Sequence, residues 1–128
     1  MSESVPKFSR ATLVDAANQY SQRASTQSIS GWGKYPVETC EVYRPEALAD
    51  LQEIVSRAPE RDLIARGLGR SYGDAALNRD SGVVLSQQFD RMLGFDPDTG
   101  VLHCQSAVSL AEIIELFVPR GFFFPVTP

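Results

Sequence analysis

The sequence predicts a mixed fold of the α/β (α+β) class. Three observations carry that reading: short apolar runs in "TCEVYRP", "DLIARG" and "GVVLSQ", two stretches with helical apolar spacing, and turn formers separating them. With 128 residues and 43% apolar content, the chain has the size of one domain and can bury a core without staples.

Taken in order, residues 1–29 are weakly patterned and rich in Ser, Gln and Ala, and Ser9 to Tyr20 fits a marginal surface helix. "SGWGKYP" is a glycine-flanked aromatic turn that leads into "TCEVYRP", a short strand ending at Pro45. Leu48, Leu51, Val55 and Ala58 then recur at helical spacing, with Ala47 and Ile54 beside them. This predicts an amphipathic helix that opens on Pro45 and closes near Pro59. "DLIARG" is a strand whose apolar run implies burial on both faces, and a glycine-rich loop follows at once.

"GVVLSQ" reads as a further strand, and "MLGFDPDTGVLHCQS" as a hairpin turned by Asp96, Pro97, Asp98, Thr99 and Gly100. Ser109 and Glu112 form an S-x-x-E capping box ahead of Leu110, Ile113, Ile114 and Phe117, so a helix starts there and stops by Pro119 and Gly121. "GFFFPVTP" places consecutive phenylalanines at the end of the chain. Such a run implies burial against a segment outside these residues, as in the opening portion of a longer protein; the alternative is that it covers its own sheet.

Composition excludes several classes. A net charge of -4 argues against a phosphate-backbone binder, so nucleic acid is not an expected partner. The opening residues carry no secretory pattern and no stretch is long enough for a transmembrane segment, which points to a cytoplasmic chain. Cys40 and Cys104 lack metal-ligand spacing and read as buried free thiols, and no metal site is expected. The lone His103 falls in a strand and reads as a surface or core residue.

The loop "IARGLGRSYGDAALN" is the most informative stretch. A dinucleotide fingerprint needs a glycine where Tyr72 stands, and the residues between Gly73 and Val83 leave no room for a full crossover helix. A Walker A loop needs a lysine, and Lys7 and Lys34 lie far away. Glycines at 67, 69 and 73 nonetheless permit positive φ, which turns successive N–H groups inward as an anion nest, with Ser71 as a hydroxyl donor. From Ala65 to Asp80, three arginines against two aspartates give +1 in a negative chain. Asp74 is expected to turn away and accept backbone hydrogen bonds that brace the loop. A tight connection without a ligand is the alternative reading.

"ARGLGRSYGDAALN" resembles the pyrophosphate loop of FAD-linked oxidases of the vanillyl-alcohol oxidase type, which carry a PCMH-type FAD-binding domain. The nearest resemblance is to members acting on polyprenyl-phosphate pentoses. "SGWGKYP" is similar to their tryptophan-bearing turn, and "PRGFFFPVTP" to their approach to a second glycine-rich cofactor segment, so the resemblance spans Ser30 to Pro128. It implies that residues 30–128 are the first lobe of the FAD domain, strands flanked by helices, with the rest of that domain and the substrate domain absent.

Residue by residue, the resemblance assigns Ala65, Arg66, Gly67, Leu68, Gly69, Arg70, Ser71, Tyr72, Gly73 and Asp74 to the diphosphate and ribityl region. Ser71 would donate to a phosphate oxygen, and Tyr72 would lie near the flavin. Trp32 and Gly33 would sit near the flavin or the substrate entrance, Asn78 is a further candidate, and Pro128 adjoins the second segment. Relatives with covalent flavin carry a histidine where Arg70 stands, so the resemblance implies non-covalent FAD. It also implies oxidation of a sugar hydroxyl to a ketone by hydride transfer to the flavin, on a small-molecule or lipid-linked sugar. An NAD(P)H-dependent short-chain reductase is the implied partner. No catalytic residue is assigned within these residues, and the fragment alone is expected to be inactive. An alditol or aldonolactone oxidase remains an alternative, as does a non-catalytic anion-binding or interaction fragment.

Overall fold

The computed structural model describes residues 24–57 and 62–126. The expected helix over Ser9 to Tyr20, the helix end at Ala58 and Pro59, and Pro128 lie outside the described residues. Two sheets form, a four-stranded one in the order β1-β2-β4-β3 and a two-stranded hairpin, β5-β6.

Strand β1, Ala24–Ser30, pairs antiparallel with β2, Val37–Tyr43, along its whole length from Ala24 opposite Tyr43 to Ser30 opposite Val37. It lies in the stretch read as weakly patterned. Its sequence, ASTQSIS, has almost no apolar alternation; at an edge it is held by its backbone ladder with β2, with only Ala24 and Ile29 packing on the core.

Helix α1, Leu48–Ser56, follows β2. It begins later than Pro45, because the Asp50 carboxylate accepts from the N–H groups of Ala47 at 3.0 Å and Glu46 at 3.2 Å and so fixes the N-cap at Ala47. Pro45 is fully buried instead. The helix buries Ile54 with Leu51 beside it, while Leu48 and Val55 stay exposed, so the buried stripe is narrower than the spacing suggests.

Strand β3, Leu63–Arg66, is an edge strand and only half-buried, contrary to the expectation of burial on both faces. That place belongs to β4, Gly82–Leu85, which enters between β2 and β3 and pairs parallel with each. Side chains alternate accordingly. Cys40, Val42 and Val83 pack on one face, and Tyr43, Val84 and Ile54 on the other.

The connection from β3 to its parallel neighbour β4 contains no helix; the glycine loop and a run of turns make the crossover. Its return leg is stitched to β2 by hydrogen bonds from Asp80 N–H to Thr39 O at 2.8 Å and from Glu41 N–H to Ser81 O at 2.9 Å.

Hairpin strands β5, Met92–Asp96, and β6, Val101–Cys104, pair antiparallel with a bulge between Met92 and Gly94. Asp96 builds the turn: its carboxylate accepts from Asp98 N–H at 2.9 Å and Thr99 Oγ1 at 2.7 Å. The Thr99 hydroxyl and then the Asp98 N–H hold that carboxyl below its ordinary range. Helix α2, Leu110–Phe117, starts on the expected capping box and runs into a 3₁₀ turn, Val118–Arg120, that ends on left-handed Gly121.

The phenylalanine run covers its own hairpin in part. Phe122 lies 4.8 Å from Phe95, which lies 4.5 Å from Phe117, whereas Phe123 is exposed. Cys40 and Cys104 are both free; Cys40 is buried, but Cys104 is half-buried, on the hairpin rather than in the main core. His103 is exposed.

Candidate functional site

The glycine loop leaves β3 at the C-terminal end of the strand and forms one wall of a cavity of about 470 Å³. Gly67, Leu68, Gly69, Arg70, Ser71 and Ala76 line that wall; Gln87 and residues 106–111, up to the start of α2, line the other. This volume is within the range of small-molecule sites, roughly 300–1,000 Å³.

The backbone of the loop is what distinguishes it. Among the described residues, no N–H from Gly67 to Ala76 donates to a protein acceptor. Gly69 and Gly73 have φ of 71° and 59°, the left-handed values that let successive N–H groups converge; Gly67 does not need one. A row of unpaired donors on a cleft suits a ligand that offers only acceptors.

The loop is seated on the aromatic turn. Trp32 N–H donates to Ser71 O at 3.1 Å, and a Cβ on Gly31 would lie 2.7 Å from both Ser71 O and Gly73 O. Gly31, absent from the sequence-derived candidates, is therefore the point of closest approach. A glycine beside Trp32 and Gly33 was the available signal; its meaning needed the neighbouring backbone.

The arginines divide. Arg66 donates from Nη1 to Ala76 O at 3.2 Å and from Nη2 to Ser30 O at 2.6 Å. Arg79 makes a two-pronged pair with Glu38, both bonds 2.6 Å, which lowers the Glu38 carboxyl and raises the guanidinium. Arg70 is exposed on the cleft with no protein partner among the described residues. The Asp74 carboxylate does not brace the loop as expected; it is the Asp74 carbonyl that accepts from Leu77 N–H, at 2.9 Å. The turn over residues 73–76 already shapes the backbone there, leaving the side chain in solvent.

The helix start beside the opposite wall is already capped by a carboxylate just outside the lining. Ser109 N–H and hydroxyl both donate to Glu112 Oε2, at 2.7 and 2.6 Å, which holds that carboxyl below its ordinary range. With Glu112 already on its N-terminal donors, the helix start has less positive potential to offer the cleft than an uncapped one. The S-x-x-E motif located this helix start in the sequence, but nothing in it said that the start faces the loop.

Ala65 to Ser71 are thus brought together at one end of the sheet, with Tyr72, Gly73 and Asp74 continuing outward as exposed residues. Trp32 and Tyr72 meet edge to face at 5.7 Å, both exposed, with Gly33 in the same turn. Asn78 stands apart, at the other end of the strands, where its amide donates to Asp62 O at 3.0 Å and Gly82 O at 3.1 Å. Among the described residues there is no cluster of metal-ligating side chains, and no helix is long and apolar enough to cross a membrane.

Similarity to known proteins agrees with this cradle. Residues 41–128 match a profile of the FAD binding domain. The chain is also 33% identical over 107 residues to the Decaprenylphosphoryl-beta-D-ribose oxidase of Mycolicibacterium smegmatis, which covers 81% of this chain and 23% of that protein. The chain thus spans about a quarter of that relative's length. With its cleft, its unpaired loop amides and a match over most of its residues, this chain belongs to the FAD binding domain family.

Proposed function

We propose that the cleft between the glycine loop and α2 holds the diphosphate of a non-covalently bound FAD, and that the protein oxidises a sugar hydroxyl to a ketone. The observation that carries the cofactor reading is the run of loop N–H groups from Gly67 to Ala76 without protein acceptors, of which Gly67 to Ser71 and Ala76 belong to residues that line a cavity of suitable size. These residues fit the group: amide donors and the Ser71 hydroxyl would take phosphate oxygens, and Arg70 would supply the counter-charge. Bound there, the flavin supplies a hydride acceptor for a carbon that bears a hydroxyl.

The chain's own residues bind and orient. The loop amides fix the diphosphate, and the Trp32–Tyr72 pair offers an apolar edge beside it, where the isoalloxazine or the substrate entrance would lie. A lipid-linked pentose, of the polyprenyl-phosphate kind, is the substrate class favoured by the relative's name, and a short-chain reductase using NAD(P)H would complete an epimerisation. Two free cysteines accord with a cytoplasmic location.

The test is the visible absorption spectrum of the full chain purified with FAD supplied, read before and after acid precipitation. A flavin spectrum that moves to the supernatant supports non-covalent binding. Colour retained in the pellet would overturn the non-covalent mode, and a colourless protein would overturn binding by these residues alone.

A further inference from the structure

We infer that Arg66 is the positioning residue of the cradle: from behind the loop its guanidinium fixes the shape that accepts a diphosphate, without touching the ligand. The ligand in this inference rests on the FAD reading; the pin itself rests on geometry alone.

Arg66 closes β3, so its backbone is anchored by the ladder with β4. Its side chain then ties together three places. Nη1 reaches Ala76 O at the far end of the loop, and Nη2 reaches Ser30 O at the end of β1. Between these contacts the loop crosses the guanidinium at Gly69. A Cβ there would overlap Nη2 and lie 2.7 Å from Cζ and 3.2 Å from Nε. The guanidinium cannot retreat without giving up both carbonyls, so the pin as well as the φ of 71° requires glycine at 69.

Arg66 does not line the cleft, although Gly67, Gly69, Arg70 and Ser71 all do. Its charge therefore lies on the side of the loop away from the cavity. A guanidinium has donors only, so it braces the loop through carbonyls and leaves every loop N–H free. A brace made from backbone pairing would have consumed those donors. Order set in advance in this way lowers the cost of binding, because the loop need not be fixed by its ligand.

The test uses the full chain with FAD as the titrant, at low and at high salt. Arg66→Gln should weaken FAD binding by about tenfold or more, as expected when loop ordering is charged to binding. The salt dependence of the remaining affinity should match that of the parent protein, because no phosphate contact is lost. Arg66→Lys, which can reach one carbonyl, should recover part of the affinity and carries the same comparison if the Gln variant does not fold. A salt dependence flattened as much as in Arg70→Gln would overturn the inference, since it would mean direct contact.

A second readout needs no ligand. In the protein without FAD, Arg66→Gln should lower the backbone order parameters of residues 67–76, and Gly69→Ala should destabilise less in the Arg66→Gln background than in the parent. Unchanged order parameters, or additive losses in the double mutant, would overturn the pin. If the parent protein binds no FAD, the cofactor reading fails, and this measurement still decides the role of Arg66.

Discussion

Gly31→Ala probes how the cradle is seated. Gly31 is buried between β1 and the aromatic turn, and an added Cβ would lie 2.7 Å from two carbonyl oxygens, those of Ser71 and Gly73. Both are backbone atoms, so no side chain can rotate away. Relief requires the turn and the loop to separate, which stretches the 3.1 Å bond from Trp32 N–H to Ser71 O. Overpacking of this kind costs about 1–3 kcal/mol, and loss of the hydrogen bond adds about 0.5–1.5 kcal/mol. The sum, roughly 1.5–4.5 kcal/mol, is a large part of the ~5–15 kcal/mol that keeps a domain folded. Gly33→Ala is the matched control, because a Cβ there meets nothing within 4 Å. Urea unfolding followed by circular dichroism measures both variants. Gly31→Ala should shift the midpoint down strongly and weaken FAD binding by the folded protein, since Ser71 and Gly73 are displaced with it. A difference between the two variants below about 0.5 kcal/mol, the scatter of ordinary surface substitutions, would refute the seating of the loop on this turn.

Three further outcomes follow from the same geometry. Asn78→Ala removes the amide bond to Gly82 O and one of three donors to Asp62 O, which keeps Ser81 Oγ and Gly82 N–H, and should destabilise the chain by about 0.5–1.5 kcal/mol, while FAD titration of the folded protein gives an unchanged affinity. Arg70→Gln should leave the unfolding curve almost unmoved but reduce both FAD affinity and its dependence on salt, read by fluorescence titration. The Glu112 carboxyl is depressed by its bonds from Ser109, so its contribution is present above the unfolded value of about 4.3 and is lost as pH falls through the lower folded value. Acid titration by NMR should therefore show the α2 N-terminal turn loosening in that window, and Ser109→Ala should move the Glu112 titration back toward the ordinary value.

Much of this arrangement is legible in the sequence where one local rule acts alone. The capping box at Ser109 and Glu112, the Asp96 to Gly100 turn and the helix-free connection after Gly73 all depend on residues close in the chain, and all stand in the structure. Strand β1 was not legible, because a polar edge strand is held by backbone pairing and leaves no apolar pattern. The apolar run of "DLIARG" predicts burial on both faces that the structure gives to "GVVL" instead, since two short apolar runs look alike until strand order places one at the centre.

The sequence by itself determined the class of the fold and the position of the glycine-rich loop, because turn chemistry acts over a few residues, and the family followed from the resemblance of that loop and its flanks rather than from glycine spacing. Only the tertiary structure decided which arginine faces the cleft. Arg66, Arg70 and Arg79 are equivalent as letters, and the counted charge of the loop treats them alike. The carbonyl partners of Arg66 and the carboxylate partner of Arg79 come from Ser30, Ala76 and Glu38, two of which lie more than one strand away in the chain. A guanidinium with a fixed partner is spent on structure, and one without is available to a ligand; that distinction exists only once distant segments are brought within hydrogen-bond reach.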